Sequence, residues 1–162
     1  MATQESYRID GGSSARMFMF GITMAPLIVI DDHPSVLNLI SSVCRAEGHS
    51  VMAFDNGTDG LDAIREFFPS VVLVDRELGS VDGLDIVREV REISPSTRCV
   101  MVTACSETRD VVHAMRRGVY NYITKPFEAQ AILDAVHEAL TEPQEIPLVK
   151  QKLVIVYPKQ AA

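Results

Sequence analysis

The 162-residue chain has no tryptophan and only three cysteines, Cys44, Cys99 and Cys105, with no CxxC pair among them. That count excludes a disulfide framework and a cysteine-based zinc site, and it suits ordinary buried thiols in a reducing compartment. Positive charge is scarce as well: 15 Lys and Arg stand against 22 Asp and Glu, a formal net charge of −7. With no basic cluster to offset it, this balance argues against direct nucleic-acid binding. Long apolar runs are missing too. The stretch 17–30 is broken by Pro26 and is too short to cross a bilayer and stay there. Arg8 and Arg16 before it, and Ala25 near its end, allow a signal-peptide reading. The better reading makes 27–30 a first buried strand, because Asp31 and Asp32 follow at once. Met24 is an alternative start. The expected location is the cytoplasm, without membrane contact.

Hydrophobic residues make up 47% of the chain and charged residues 23%, which suits one packed domain. Five short apolar runs, at 27–31, 50–54, 71–75, 99–103 and 120–124, read as strands. The first and third are almost unbroken Val, Ile and Leu, as strands covered on both faces require. Helical patterns follow each, at 34–47, 58–68, 83–93, 107–117 and 128–140, and Gly48, Pro69, Pro95 and Gly118 stop the first four. Five βα units in a row predict a single three-layer α/β domain, a doubly wound parallel sheet with helices on both faces. The domain is expected over 26–142, with 1–25 as an extension. Residues 143–162 read as a tail, either a linker stub or an added edge strand formed by the run 153–157. Only 21 residues follow Thr141, too few for a second packed domain.

In an open parallel sheet, polar sites form beyond the carboxyl ends of the strands. Here those ends carry Asp31 and Asp32, then Asp75, then Thr103, then Lys125. Carboxylates brought together repel unless a cation sits among them, and Mg²⁺ with oxygen ligands suits such a group. His33 reads as a loop residue rather than a ligand. A divalent ion, an ammonium and a hydroxyl around a further carboxylate make a phosphoryl-transfer environment. Asp75, ending the central strand, is the best-placed acceptor for an aspartyl phosphate. One strand-end Asp alone would be an ordinary helix cap. Several in this order are not.

At these residues the chain resembles the receiver domain of two-component response regulators. The likeness rests on the acidic pair Asp31-Asp32, the lone Asp75, Thr103 followed by Ala104, Lys125-Pro126-Phe127, and Asp82-Gly83. It extends over about residues 27–141, and it implies a flavodoxin-like (βα)5 fold with strand order 2-1-3-4-5. It further implies that Asp75 accepts the phosphoryl group from a sensor histidine kinase or a phosphotransfer protein. Asp32 and Asp75 would bind Mg²⁺ directly, Asp31 through water, and the backbone carbonyl of Glu77 would complete the protein ligands. Lys125 would pair with the acceptor, Thr103 would bond the phosphoryl group, and Tyr122 would be the switch aromatic. The Lys125–Pro126 bond would be cis.

Some positions depart from the family pattern. Leu78-Gly79 stands where Met-Pro or Leu-Pro is common, and Gly in place of Pro is expected to loosen that loop. Glu77 adds a carboxylate near the site, Cys105 stands two residues past Thr103, and Val119 replaces the usual Ala beside the output face. The signal is expected to leave through the face 107–140, toward a downstream partner protein, an output domain on another chain, or a second copy in a homodimer. Beyond self-catalysed transfer and dephosphorylation, no enzymatic turnover is expected. Two rival readings stand beside this one. An aspartyl-phosphate hydrolase would want a DxD strand, which Asp75-Arg76-Glu77 only approximates. A non-phosphorylated interaction module would need none of the five marked side chains.

Overall fold

The alternation of apolar runs and helical patterns folds into β1 (Leu27–Ile30), α1 (Pro34–Ala46), β2 (Val51–Phe54), α2 (Gly57–Phe67) and β3 (Val71–Asp75). There follow β4 (Glu77–Leu78), β5 (Val81–Asp82), α3 (Gly83–Ile93), β6 (Arg98–Thr103), α4 (Thr108–Arg116), β7 (Asn121–Thr124) and α5 (Ala129–Thr141). These elements come from a computed structural model that describes residues 25–104 and 108–142. Residues 1–24 of the expected extension, the position of Cys105 and the tail strand at 153–157 lie outside the described residues.

Five strands form one parallel sheet in the order β2-β1-β3-β6-β7. Counted among sheet strands alone, this is the expected 2-1-3-4-5 arrangement. Side chains alternate between its faces, as strand geometry demands. Ile28, Ile30, Val72, Val74, Cys99 and Met101 pack on one side with Leu61, Ile64, Leu84, Val87, Val90 and Ala114, which belong to α2, α3 and α4. Leu27, Val29, Val71, Leu73, Val100 and Val102 pack on the other with Ile40 and Cys44 of α1 and Ile132, Val136 and Ala139 of α5. Cys44 and Cys99 are buried and free. Burial pushes their thiols up to about 11 and about 12, values at which a thiol is chemically quiet near neutrality.

Helix ends sit within a residue or two of the sequence expectation, and the caps account for the differences. The α1 helix begins at Pro34, whose missing N–H costs nothing there. It stops at Ala46, with Gly48 at φ +88° turning the chain out of the helix. The Asn56 side chain accepts from Asp59 N at the start of α2, and Asp82 accepts from Leu84 N at the start of α3. At the far end of the molecule, the Arg98 guanidinium donates to Ala139 O at 2.7 Å and Glu142 O at 2.7 Å, holding the last carbonyls of α5. The Tyr120 ring lies 4.7 Å from that guanidinium.

A second, two-stranded antiparallel ladder, β4 with β5, was not expected from the sequence. It pairs Leu78 with Val81 across Gly79-Ser80. Gly79 has φ +61°, and no positive φ occurs at Ser80, the pattern of a type II′ turn with glycine first. The segment between β3 and α3 therefore forms a short hairpin.

Candidate functional site

Strand register places the marked side chains before any side-chain contact is considered. Ile30 pairs with Val74, so Asp31 and Asp75 come next on adjacent strands. Asp75 pairs with Val102, one residue before Thr103, and Thr103 pairs with Thr124, one residue before Lys125. All four therefore stand along one carboxyl edge of the sheet. Lys125 Nζ lies 2.8 Å from Asp31 Oδ2 and 2.6 Å from Asp75 Oδ2, bridging the two carboxylates. Lys125 N also donates to Thr103 O at 2.7 Å, and the Lys125–Pro126 peptide is cis. Asp31 is 1% exposed, Asp75 4% and Thr103 0%, so this group belongs to the interior rather than to the surface.

Asp32 faces the same edge from the β1–α1 loop. Gly79 N donates to its Oδ2 at 2.9 Å across the hairpin. A proline, which has no N–H, cannot make that bond. The glycine that departs from the family pattern thus braces an acidic side chain. Asp32 Oδ1 is shut off from solvent and receives no hydrogen bond. His33 Nδ1 approaches it to 2.9 Å, close enough by distance but outside hydrogen-bonding alignment. Asp75 Oδ1 accepts from Glu77 N at a long 3.3 Å, which makes it the less engaged oxygen of that carboxylate. Asp31 Oδ1 accepts from His33 N at 2.8 Å.

The other expected residues stand in different relations to this cluster. The Glu77 side chain is exposed and is not among the clustered ligand groups, while its main-chain N reaches Asp75 Oδ1. Tyr122 is half-buried against the core layer containing Ala114 and Val119. Val119 is itself buried, which makes it a packing residue beneath the outer face. The sequence reading missed two things: the aim of the His33 ring, and an ion pair of 2.8 Å between Arg76 Nε and Asp82 Oδ1 that closes the base of the hairpin.

Burial pushes the Asp75 carboxyl above the usual carboxylate range, and the neighbouring Asp31 charge adds to this. The hydrogen bond and charge of Lys125 oppose both and are outweighed. Burial lowers the Lys125 ammonium, but its bonds to Asp31 and Asp75 overcome that and hold it above the usual lysine range. The two shifts agree: one ammonium sits between two buried carboxylates, so Lys125 has two anionic partners while Asp75 has to share its one cation. Asp75 keeps its proton more tightly folded than unfolded, so its ionised form costs stability at neutral pH. That cost is relieved as pH falls through the folded value toward the ordinary carboxylate value of about 3.9. In EDTA, Asp75→Asn should therefore be more stable than wild type at pH 7, and its advantage should shrink toward pH 4. Urea titrations at several pH values measure this. A gap that stays constant with pH would remove the ionisation of Asp75 as its cause.

Asp31, Asp32, His33 and Asp75 each offer a ligand atom, and these atoms all lie within 4.8 Å of one another, a group that can hold a metal ion. Three carboxylates with one buried oxygen lacking a donor fit a hard divalent cation.

A parallel five-stranded sheet with buried carboxylates and a lysine at its carboxyl edge defines a CheY-like domain. Its solved relatives share the fold: a CheY-like receiver domain protein from Methanospirillum hungatei superposes with TM-score 0.68 at 23% identity, covering 73% of this chain and 94% of that one. The NtrX receiver domain from Brucella abortus gives TM-score 0.69 at 28% identity, covering 72% of this chain and 99% of that one. The family profile of the response regulator receiver domain matches residues 27–137. The chain belongs to the response regulator receiver domain family of two-component systems. Among curated relatives, the DNA-binding response regulator MtrA of Mycobacterium tuberculosis is 34% identical over 121 residues, 75% of this chain and 53% of its own length. The transcriptional regulatory protein GlrR of Escherichia coli is 29% identical over 118 residues, 73% of this chain and 27% of its own. The chain thus spans about a quarter to a half of these relatives. Among the described residues no helix is long and apolar enough to cross a membrane.

Proposed function

We propose that the chain is a phospho-accepting switch, with Asp75 taking a phosphoryl group from a phosphohistidine on a sensor histidine kinase or phosphotransfer protein in the cytoplasm. The observation that carries this reading is Lys125 Nζ held against both Asp31 and Asp75 at a buried sheet edge. A buried ion pair is a weak device for stability alone, whereas an incoming phosphoryl group needs a fixed cation beside its acceptor.

Attack comes from Asp75 Oδ1, the oxygen with the weaker hydrogen bond. An O–P bond forms and the donor's P–N bond breaks, with the electron pair leaving on the imidazole. Lys125 is already beside the acceptor and turns to the phosphoryl oxygens without being recruited from solvent. Thr103 then bonds the same oxygens, and Tyr122 turns with it. Asp32, Asp75, Asp31 through water and the Glu77 carbonyl would hold Mg²⁺, which supplies positive charge to the transferring oxygens. Phosphorylation adds charge at one point, and the population of the face 107–140 shifts in response. That face is read by a downstream protein, an output domain or a second copy of the chain. Turnover beyond self-catalysed transfer and dephosphorylation is not part of this reading.

The test is incubation with acetyl phosphate and Mg²⁺, followed by intact-protein mass spectrometry. A single phosphoryl addition that EDTA prevents is expected. A folded chain that stays unmodified, or one that hydrolyses phosphoesters continuously, would overturn the proposal. Mg²⁺ at about a hundred times its dissociation constant should also stabilise the chain by about 2.7 kcal/mol. Most of that increment should vanish in Asp32→Ala, as read by thermal unfolding.

A further inference from the structure

We infer that His33 makes this pocket a mixed nitrogen–oxygen site that takes Zn²⁺ in competition with the magnesium of the proposed function, on which this inference rests. His33 Nδ1 is 2.9 Å from Asp32 Oδ1 and 3.6 Å from Asp31 Oδ1. Asp31, Asp32, His33 and Asp75 each offer one ligand atom within 4.8 Å of the others. Tetrahedral zinc ligands about 2.1 Å from their ion lie roughly 3.4 Å apart, so small rotations close the set.

The ring is aimed by its backbone rather than by chance. His33 N donates to Asp31 Oδ1 at 2.8 Å, and His33 O accepts from Leu37 N at 3.0 Å. Its extended conformation, φ −91° and ψ 110°, is the one a following proline imposes, and Pro34 follows. With the main chain fixed at both ends, only the ring torsions remain to be ordered when a ligand arrives. The side chain is 65% exposed, so it stands at the mouth of the pocket, where an ion enters. Asp32 Oδ1 lies directly beneath it, without a hydrogen-bond donor.

Ligand chemistry then sets the preference. Carboxylates alone suit Mg²⁺, while an added imidazole favours zinc and other late divalent ions. Lys125 already engages Asp31 Oδ2 and Asp75 Oδ2. Asp31 Oδ1 is held by His33 N at 2.8 Å while Asp75 Oδ1 has only a 3.3 Å bond, which makes His33, Asp32 and Asp75 Oδ1 the primary ligands. The site therefore carries two affinities, one with the imidazole and one without it.

The test is calorimetric titration of the metal-free full chain with Zn²⁺ and, separately, with Mg²⁺, in wild type, His33→Ala, His33→Gln and Asp32→Ala. Both His33 variants should lose about tenfold or more in Zn²⁺ affinity. Their Mg²⁺ affinity should stay within about twofold, since magnesium gains little from imidazole. Asp32→Ala should weaken both ions. Equal losses for the two ions in the His33 variants would mean that His33 only shapes the acidic loop, and would overturn the inference. So would an unchanged Zn²⁺ affinity in those variants, or zinc binding that survives Asp32→Ala. Failure of the proposed function shows itself differently: a wild type that binds no Mg²⁺ and takes no phosphoryl group, whatever zinc does.

Discussion

Asp75→Asn takes up no phosphoryl group from acetyl phosphate under conditions in which wild type is modified. The amide preserves the shape of the side chain and accepts the same Lys125 hydrogen bond, but it offers no anionic oxygen to form the mixed anhydride. Loss to background is the expected result, a far larger effect than weakening any single contact around the site. The variant remains folded, because the residue it replaces is one whose buried charge the fold has to tolerate. Intact mass and far-UV circular dichroism on the same sample check both halves. Should Asp75→Asn still gain one phosphoryl group, the acceptor is another side chain, and mapping the modified peptide would identify it.

Gly83→Ala is expected to be the most damaging glycine-to-alanine change among the described residues. A Cβ at Gly83 would stand 2.0 Å from the main-chain oxygen of Asp75 and 3.1 Å from Arg76 Cα. Neither is a flexible side-chain tip that can swing aside. Gly83 N also donates to Arg76 O at 2.7 Å, pinning the two segments together. The backbone must therefore move, at a cost of about 3 kcal/mol, the upper part of the usual overpacking range. Because the displaced backbone carries Asp75, stabilisation by Mg²⁺ should fall along with the urea midpoint. Gly48→Ala is the control. Its φ of +88° is unfavourable for alanine, but nothing lies within 4 Å, so about 1 kcal/mol and an unchanged metal response are expected.

The sequence carries the five-stranded sheet and its five helices in plain form, since each is long enough for its period to show. The unbroken apolar runs at β1 and β3 mark strands covered on both sides, and both core layers follow from their alternation. The strand-end acids and Lys125 are legible for the same reason: in a parallel sheet, the residue after an apolar run stands at the carboxyl edge. The β4–β5 hairpin escapes that logic, because two-residue strands are shorter than any period. What marks it is local, the Gly79-Ser80 dipeptide between Leu78 and Val81. Pro34 sets the His33 backbone, but what the ring meets is not written in the sequence. It depends on where Asp31 and Asp32 come to rest after the strands have paired, so its neighbours name it only once the sheet exists. The raised Asp75 carboxyl is likewise a product of burial and of sharing one ammonium, neither of which composition states.

The amide of Gly79 that holds Asp32 Oδ2 has an experimental consequence of its own. Substitution scanning trims side chains and leaves main-chain donors in place, so a survey by alanine would score this contact as silent or would report only the penalty of an unfavourable torsion. An ester bond introduced by semisynthesis at this one peptide link would delete the donor while sparing every side chain. The grip on the first acidic loop would then be read as a change in ion affinity alone.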